Sequence, residues 1–82
     1  MYLEVITPEK KVFEGDVVSA TFPGASGSFQ VLKNHAPLIS TCTTGVVKIK
    51  TASEEKTFTI DGGVVEVLEN KVVLLAESIL AK

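Results

Sequence analysis

The sequence has one cysteine, Cys42, and one histidine, His35, in 82 residues. A single thiol cannot close an intramolecular disulfide, so the fold does not rest on a disulfide framework. The pattern fits a reducing compartment. A metal site needs several ligands, and no second His or Cys is there to share an ion. Asp and Glu are scattered without ligand spacing. Positive charge is scarce too: eight Lys+Arg stand against ten Asp+Glu, a formal net charge of -2, and no basic run is longer than Lys10-Lys11. Nucleic-acid binding requires a basic face that displaces counterions, and a polybasic membrane anchor requires a cluster. Both are excluded. No apolar run approaches the ~18 residues needed to span a bilayer. Met1-Tyr2-Leu3-Glu4 lacks the basic start and apolar run of a secretory signal. These absences predict a chain that is soluble, or that meets a membrane only through a partner.

Phosphate loops and catalytic groupings are missing as well. Gly24-Ala25-Ser26-Gly27 and Gly62-Gly63 are too short for a phosphate loop, and no helix N-terminus follows either. Asp16 and Asp61 sit beside glycine and read as turn residues bonded to local backbone. Cys42, between Thr41 and Thr43 in a strand-like run, reads as a small half-buried thiol. His35 has no Cys, Ser or carboxylate beside it in a catalytic pattern. Lys71, near the Glu69-Asn70 tip, lacks the Asp or Met flanks of a swinging-arm carrier lysine. The expectation is a protein that is not an enzyme, has no catalytic residue, metal or cofactor, and acts by presenting a surface.

What the chain does have is short β-rich runs between turn residues. Hydrophobic residues are 45% and charged residues 22%, a globular balance. The length argues for one domain, residues 1-82, with a thin core. Leu3-Glu4-Val5 stops at Thr7-Pro8. Val12-Phe13 stops at Gly15-Asp16. Val17 to Phe22 places Val18, Ala20 and Phe22 on one face. Phe29 to Leu32 ends at Lys33-Asn34-His35-Ala36-Pro37, after which Leu38-Ile39 restarts an apolar run. Val47-Lys48-Ile49-Lys50-Thr51 and Lys56-Thr57-Phe58-Thr59-Ile60 alternate strictly around Ala52-Ser53-Glu54-Glu55. Successive strand side chains face opposite ways, so Val47, Ile49, Phe58 and Ile60 are predicted to line a core. Asp61-Gly62-Gly63 reads as a turn. Glu69-Asn70 reads as a tight turn between Val64–Leu68 and Lys71–Ala76, because Asn tolerates positive φ. Glu77 to Lys82 has helix-forming composition, though six residues alone do not hold a helix in water. The spacing predicts an all-β, two-sheet β-sandwich of about nine or ten short strands, mostly antiparallel. Its loops Gly24–Phe29 and Lys33–Leu38 are the candidate surfaces. From the residues alone, a free-standing ligand-binding or adaptor β-sandwich stays open. A small enzyme would need a pocket of convergent titratable groups, for which there is no candidate.

The segment Asn34-His35-Ala36-Pro37-Leu38-Ile39 is more specific. Its His-Ala-Pro-Leu element resembles the most recognisable motif of the epsilon subunit of F-type ATP synthases. The other segments agree in order: Val5-Ile6-Thr7-Pro8 and Val12-Phe13-Glu14-Gly15, then Val17-Val18-Ser19-Ala20, Gly45-Val46-Val47-Lys48-Ile49, Ile60-Asp61-Gly62-Gly63-Val64-Val65-Glu66-Val67 and Val72 to Glu77. Together they cover nearly the whole chain. Gln30, Lys33-Asn34 and Ser28 depart from the family pattern, which commonly has a glycine, a proline-containing pair and an acidic residue there. The resemblance implies a non-catalytic central-stalk rotor subunit, joining the gamma subunit to the membrane rotor ring and coupling ion translocation to ATP synthesis. It implies gamma contacts at His35, Ala36, Pro37, Leu38 and Ser40, and ring contacts at Ser26, Gly27, Ser28 and Phe29. It also implies a peripheral location on the cytoplasmic face of a bacterial plasma membrane, within the complex. Many family members continue with a helical C-terminal arm that restrains hydrolysis or binds ATP. A short form without that arm is expected here, with no nucleotide binding.

Overall fold

The computed structural model describes residues 1–81. Every element in that range is a strand: β1 (Tyr2–Ile6), β2 (Lys11–Asp16), β3 (Ser19–Gly24), β4 (Gly27–Leu32), β5 (Leu38–Lys50), β6 (Glu55–Leu68), β7 (Lys71–Ala76) and β8 (Ile79–Ala81). They pair in the order β2-β1-β7-β6-β5-β3-β4, with β8 on β6. All pairs are antiparallel except β1 with β7, which run parallel from Tyr2↔Lys71 to Ile6↔Leu75.

One hydrogen-bonded path makes two layers, and side-chain parity shows how. In β5, the even residues Leu38, Ser40 and Cys42 turn inward, then Thr43 and Thr44 are both exposed, and then the odd residues Val47 and Ile49 are buried. In β6, Phe58, Ile60 and Gly62 are buried, and then Val65 and Val67. A strand has a side-chain period of two, so a change of parity means the strand has rotated about its own axis. The two changes sit opposite each other, at Thr44↔Asp61 and Cys42↔Gly63. The sheet therefore folds over along that line. One layer holds β2, β1, β7, the end of β6 and the start of β5. The other holds β8, the start of β6, the end of β5, β3 and β4.

Between the layers lies a single apolar core. Leu3, Val5, Phe22, Val31, Ile49, Ile60, Val65 and Leu74 are all 0% exposed. Each such side chain contributes roughly 1.5–3 kcal/mol relative to leaving it in water. The alternation of the β5–β6 hairpin was a correct guide, since Val47, Ile49, Phe58 and Ile60 are all buried.

Asp61-Gly62-Gly63 is the fold line inside β6, not a chain reversal. Gly62 has φ +86, and a Cβ on Gly63 would lie 2.4 Å from the Leu75 carbonyl oxygen. The expected short strands on either side of it are one strand, and Leu38-Ile39 and Val47–Thr51 likewise merge into β5. With β8 added, the nine runs read from the sequence become eight strands. Val17 is buried and Val18 is 53% exposed, the reverse of the alternation expected for Val18. Val17 donates its N–H to the Met1 carbonyl and Val18 to the Lys50 carbonyl, so the chain twists before β3 begins. Ile79–Ala81 pairs with β6 as a strand, overriding local helix propensity. Lys82, the end of the expected helical segment, lies outside the described residues.

The turns carry their expected chemistry. Glu69 and Asn70 have φ 49 and 62, the two left-handed residues of a type I′ turn. The Thr7 hydroxyl donates to the Lys10 carbonyl and accepts from the Lys10 N–H, closing the β1–β2 hairpin.

Candidate functional site

The two predicted contact segments come from different parts of the fold and meet. Ser26, Gly27, Ser28 and Phe29 form the tip of the β3–β4 hairpin, whose loop is Ala25-Ser26 between the paired Gly24 and Gly27. Phe29 is half-buried, and its ring lies 5.6 Å from that of buried Phe22. Phe29 therefore anchors the hairpin to the core as well as flooring the surface. Gly24 is required there, since a Cβ would sit 2.7 Å from the Gly27 carbonyl oxygen.

His35, Ala36 and Pro37 lie in the connection from β4 to β5. Its sharp point is Asn34, at φ 60. The His35 N–H donates to the Leu32 carbonyl at 3.1 Å. The Asn34 N–H donates across the fold to the side-chain oxygen of Asn70 at 3.0 Å. The β6–β7 turn thereby braces this loop. The His35 ring is half-buried, with Nδ1–H donating to the Ala36 carbonyl at 2.7 Å. Ala36 and Pro37 are exposed.

Between these segments runs an open groove of about 530 Å³, lined by Gly24 to Gln30 on one side and His35, Leu38, Ser40 and Thr41 on the other. It follows the open seam of the sandwich, where edge strand β4 of one layer faces the start of β5 in the other. Serine and threonine hydroxyls form its rim, and Phe29 and Leu38 its apolar floor. Leu38 packs against the core from its half-buried position. Among the described residues, no Lys, Arg, Asp or Glu lines it. A neutral, hydroxyl-rimmed groove with one imidazole suits surface recognition. It lacks the paired titratable groups that acid–base chemistry requires.

A second feature was missed in the sequence. Ile39, between Leu38 and Ser40, points to the opposite side and is 73% exposed. It opens an apolar face on the outside of the first layer. Thr41 pairs with Val64, Val64 with Leu75, and Leu75 with Ile6. Ile39 lies in the adjacent row, Ile39↔Glu66↔Val73↔Glu4. Val64 and Leu75 are exposed and Ile6 half-buried. Scattered surface apolar residues are ordinary, but a contiguous row across neighbouring strands marks an interaction surface. Alternation alone gave the signal: if Leu38 and Ser40 face in, Ile39 must face out. The row's membership depended on the strand register.

Charge bounds this face at one corner. The Glu4 carboxylate lies 3.1 Å from both Lys11 and Lys71, and Lys11 also reaches Glu14 at 3.3 Å. Hydrogen bonds from Lys71 and then Lys11 hold the Glu4 carboxyl below its ordinary range. The Tyr2 hydroxyl, donating to Glu14, and then Lys11 do the same for Glu14.

Comparisons with known proteins agree with this architecture. The family model described as ATP synthase, Delta/Epsilon chain, beta-sandwich domain, matches residues 1–82. A Chlorobium limicola protein named ATP synthase epsilon chain is 41% identical over 78 residues, which is 94% of this chain and 89% of that one. Its Chlorobaculum tepidum namesake is 44% identical over 78 residues, with the same shares. The Leptospira borgpetersenii epsilon chain is 40% identical over 75 residues, 92% of this chain but 59% of that longer one. A chain in the Tetrahymena thermophila mitochondrial ATP synthase central stalk/c-ring structure superposes with a TM-score of 0.87 at 21% identity, over 98% of this chain and 65% of that chain. One in the Euglena gracilis mitochondrial ATP synthase gives 0.89 at 16% identity, over 96% and 51%. At those identities the superpositions speak for the fold alone.

Proposed function

The chain belongs to the ATP synthase delta/epsilon-chain β-sandwich family, and from that premise we propose that it is a non-catalytic rotor subunit joining gamma to the membrane rotor ring. In this role it couples ion translocation to ATP synthesis from a peripheral position on the cytoplasmic face of a bacterial membrane. Gamma takes the β4–β5 side, at His35, Ala36, Pro37, Leu38 and Ser40. The ring takes the hairpin tip, at Ser26, Gly27, Ser28 and Phe29.

The observation that carries this reading is the exposed apolar face beside the His35–Ser40 segment, where Ile39, 73% exposed, lies next to the row holding Val64 and Leu75, 38% and 53% exposed. A face of this kind calls for a protein partner. The groove lies between this face and the hairpin tip. The hairpin tip and the apolar row occupy different layers, so one rigid body reaches two partners. Close packing and a continuous strand ladder let that body carry torque with little deformation.

The test is co-purification of gamma with the His35→Asp/Ser40→Asp double variant, and separately with Ile39→Asp. All three positions lie at the surface or its margin, so the β-sheet circular dichroism should stay unchanged while gamma is lost. If both proteins recover gamma at wild-type yield, the assignment of this face is wrong.

A further inference from the structure

The two edges of the sandwich flanking this path are treated differently. β2 ends one side and carries Lys11, Glu14 and Asp16, and its pairing with β1 is irregular at Val5/Ile6. Charge and irregularity are the usual protections of a free edge. β4 ends the other side with the sequence Gly-Ser-Phe-Gln-Val-Leu, and it has no charge, proline or bulge. It is paired on one side only.

The hydrogen-bond phase of that edge follows from the turn. A two-residue loop closes on a hydrogen-bonded pair, here Gly24↔Gly27. Gly27, Phe29 and Val31 therefore direct their backbone groups to β3. Ser28, Gln30 and Leu32 direct theirs away from it. Pro23 fits this phase: it has no N–H for β5, and the β3–β5 ladder is interrupted between Thr21 and Gly24.

We infer that free protein self-associates as a two-fold dimer, with β4 pairing antiparallel to β4 of a second copy about Gln30. In that register Gln30 faces Gln30, Ser28 faces Leu32, and Phe29 faces Val31. The outward backbone groups of one strand meet those of the other, the Leu32 carbonyl doing so while it also accepts from the His35 N–H, and the inward side chains stay on the core side. Lys33 falls opposite Gly27, so no like charges meet across the axis. Any other occupant would have to supply its own matching phase, whereas a second copy has it by symmetry. Six residues at ~3.3 Å each make a short contact. The interface is at the small end of specific interfaces, and the dissociation constant is expected on the order of 0.1 mM.

The experiment is sedimentation velocity on the isolated chain from about 10 µM to 1 mM, with two charge variants. Wild type should shift from monomer to dimer across the range. Gln30→Lys and Gln30→Glu, each placing like charges opposite each other, should stay monomeric with unchanged circular dichroism. Their equimolar mixture should dimerise again, because Lys then faces Glu. Wild type that stays monomeric, either variant dimerising like wild type, or a mixture that stays monomeric would each overturn the proposal. The outcome is independent of gamma binding, so the two readings fail separately.

Discussion

Replacing Gly63 with alanine tests whether the sandwich depends on folding one sheet over at the β5–β6 line. The added Cβ would lie 2.4 Å from the Leu75 carbonyl oxygen and 2.9 Å from the Ala76 Cα. Both are backbone atoms of the paired strand, so no side-chain rotation relieves the clash. An ordinary contact needs about 1 Å more, which means β7 must move away from β6 where Gly63 pairs with Ala76. Overpacking costs about 1–3 kcal/mol, and a weakened ladder hydrogen bond about 1 kcal/mol more. The sum, about 2–4 kcal/mol, corresponds to a drop in Tm of roughly 10–25 °C for a domain of this size. Gly27→Ala is the comparison. It has nothing within 4 Å but a φ of +122, so only backbone strain of about 1–2 kcal/mol applies. Urea titration followed by circular dichroism measures both. A Gly63→Ala protein within about 0.5 kcal/mol of wild type, or more stable than Gly27→Ala, would refute the close-approach argument.

Two further expectations concern the loop brace and the charged corner. Asn70→Gly keeps the left-handed turn and removes the bond to the Asn34 N–H. Stability should change little, while amide exchange at Asn34 and His35 should accelerate. Asn70→Ala should add a backbone cost of about 1 kcal/mol, and equal stability of the two variants would contradict the φ assignment. For Glu4, the folded pKa lies below the unfolded one because Lys71 and Lys11 favour the carboxylate. Its stabilisation is complete above the ordinary glutamate value of 4.5 and lost as pH falls through the lower folded value. Glu4→Gln should therefore flatten the stability–pH curve between 4.5 and the lower folded value and leave pH 7–9 parallel to wild type. An unchanged acid limb would show that the pairing is not felt.

Much of the fold was legible because alternation is local. Val47, Ile49, Phe58 and Ile60 declare their face through the residues between them, and Glu69-Asn70 declares its turn through the φ tolerance of Asn. Asp61-Gly62-Gly63 was misread because glycine marks a reversal and a fold line with the same letters. Only the matching change of parity at Thr43-Thr44 on the partner strand distinguishes them, and that requires the register. Val17 and Val18 exchanged faces for a similar reason, since hydrogen bonds to Met1 and Lys50 set the twist there. At the candidate site, the loops Gly24–Phe29 and Lys33–Leu38 were legible from composition, and the division into His35–Ser40 and Ser26–Phe29 contacts is what the resemblance implies. Their convergence on one groove was not visible, because it depends on two layer edges meeting. Ile39 comes to lie beside the Val64–Leu75 row only after three strands are aligned.

The parallel pairing of β1 with β7 also constrains the order of events after synthesis. Tyr2 sits beside Lys71, so the first strand to be made has to wait for the seventh before it gains its central neighbour. Until then β1 and β2 have only each other, while the long β5–β6 hairpin can close from its own turn. Folding is expected to begin in the middle of the chain and finish at its start, at the slow pace of β topologies rich in distant contacts.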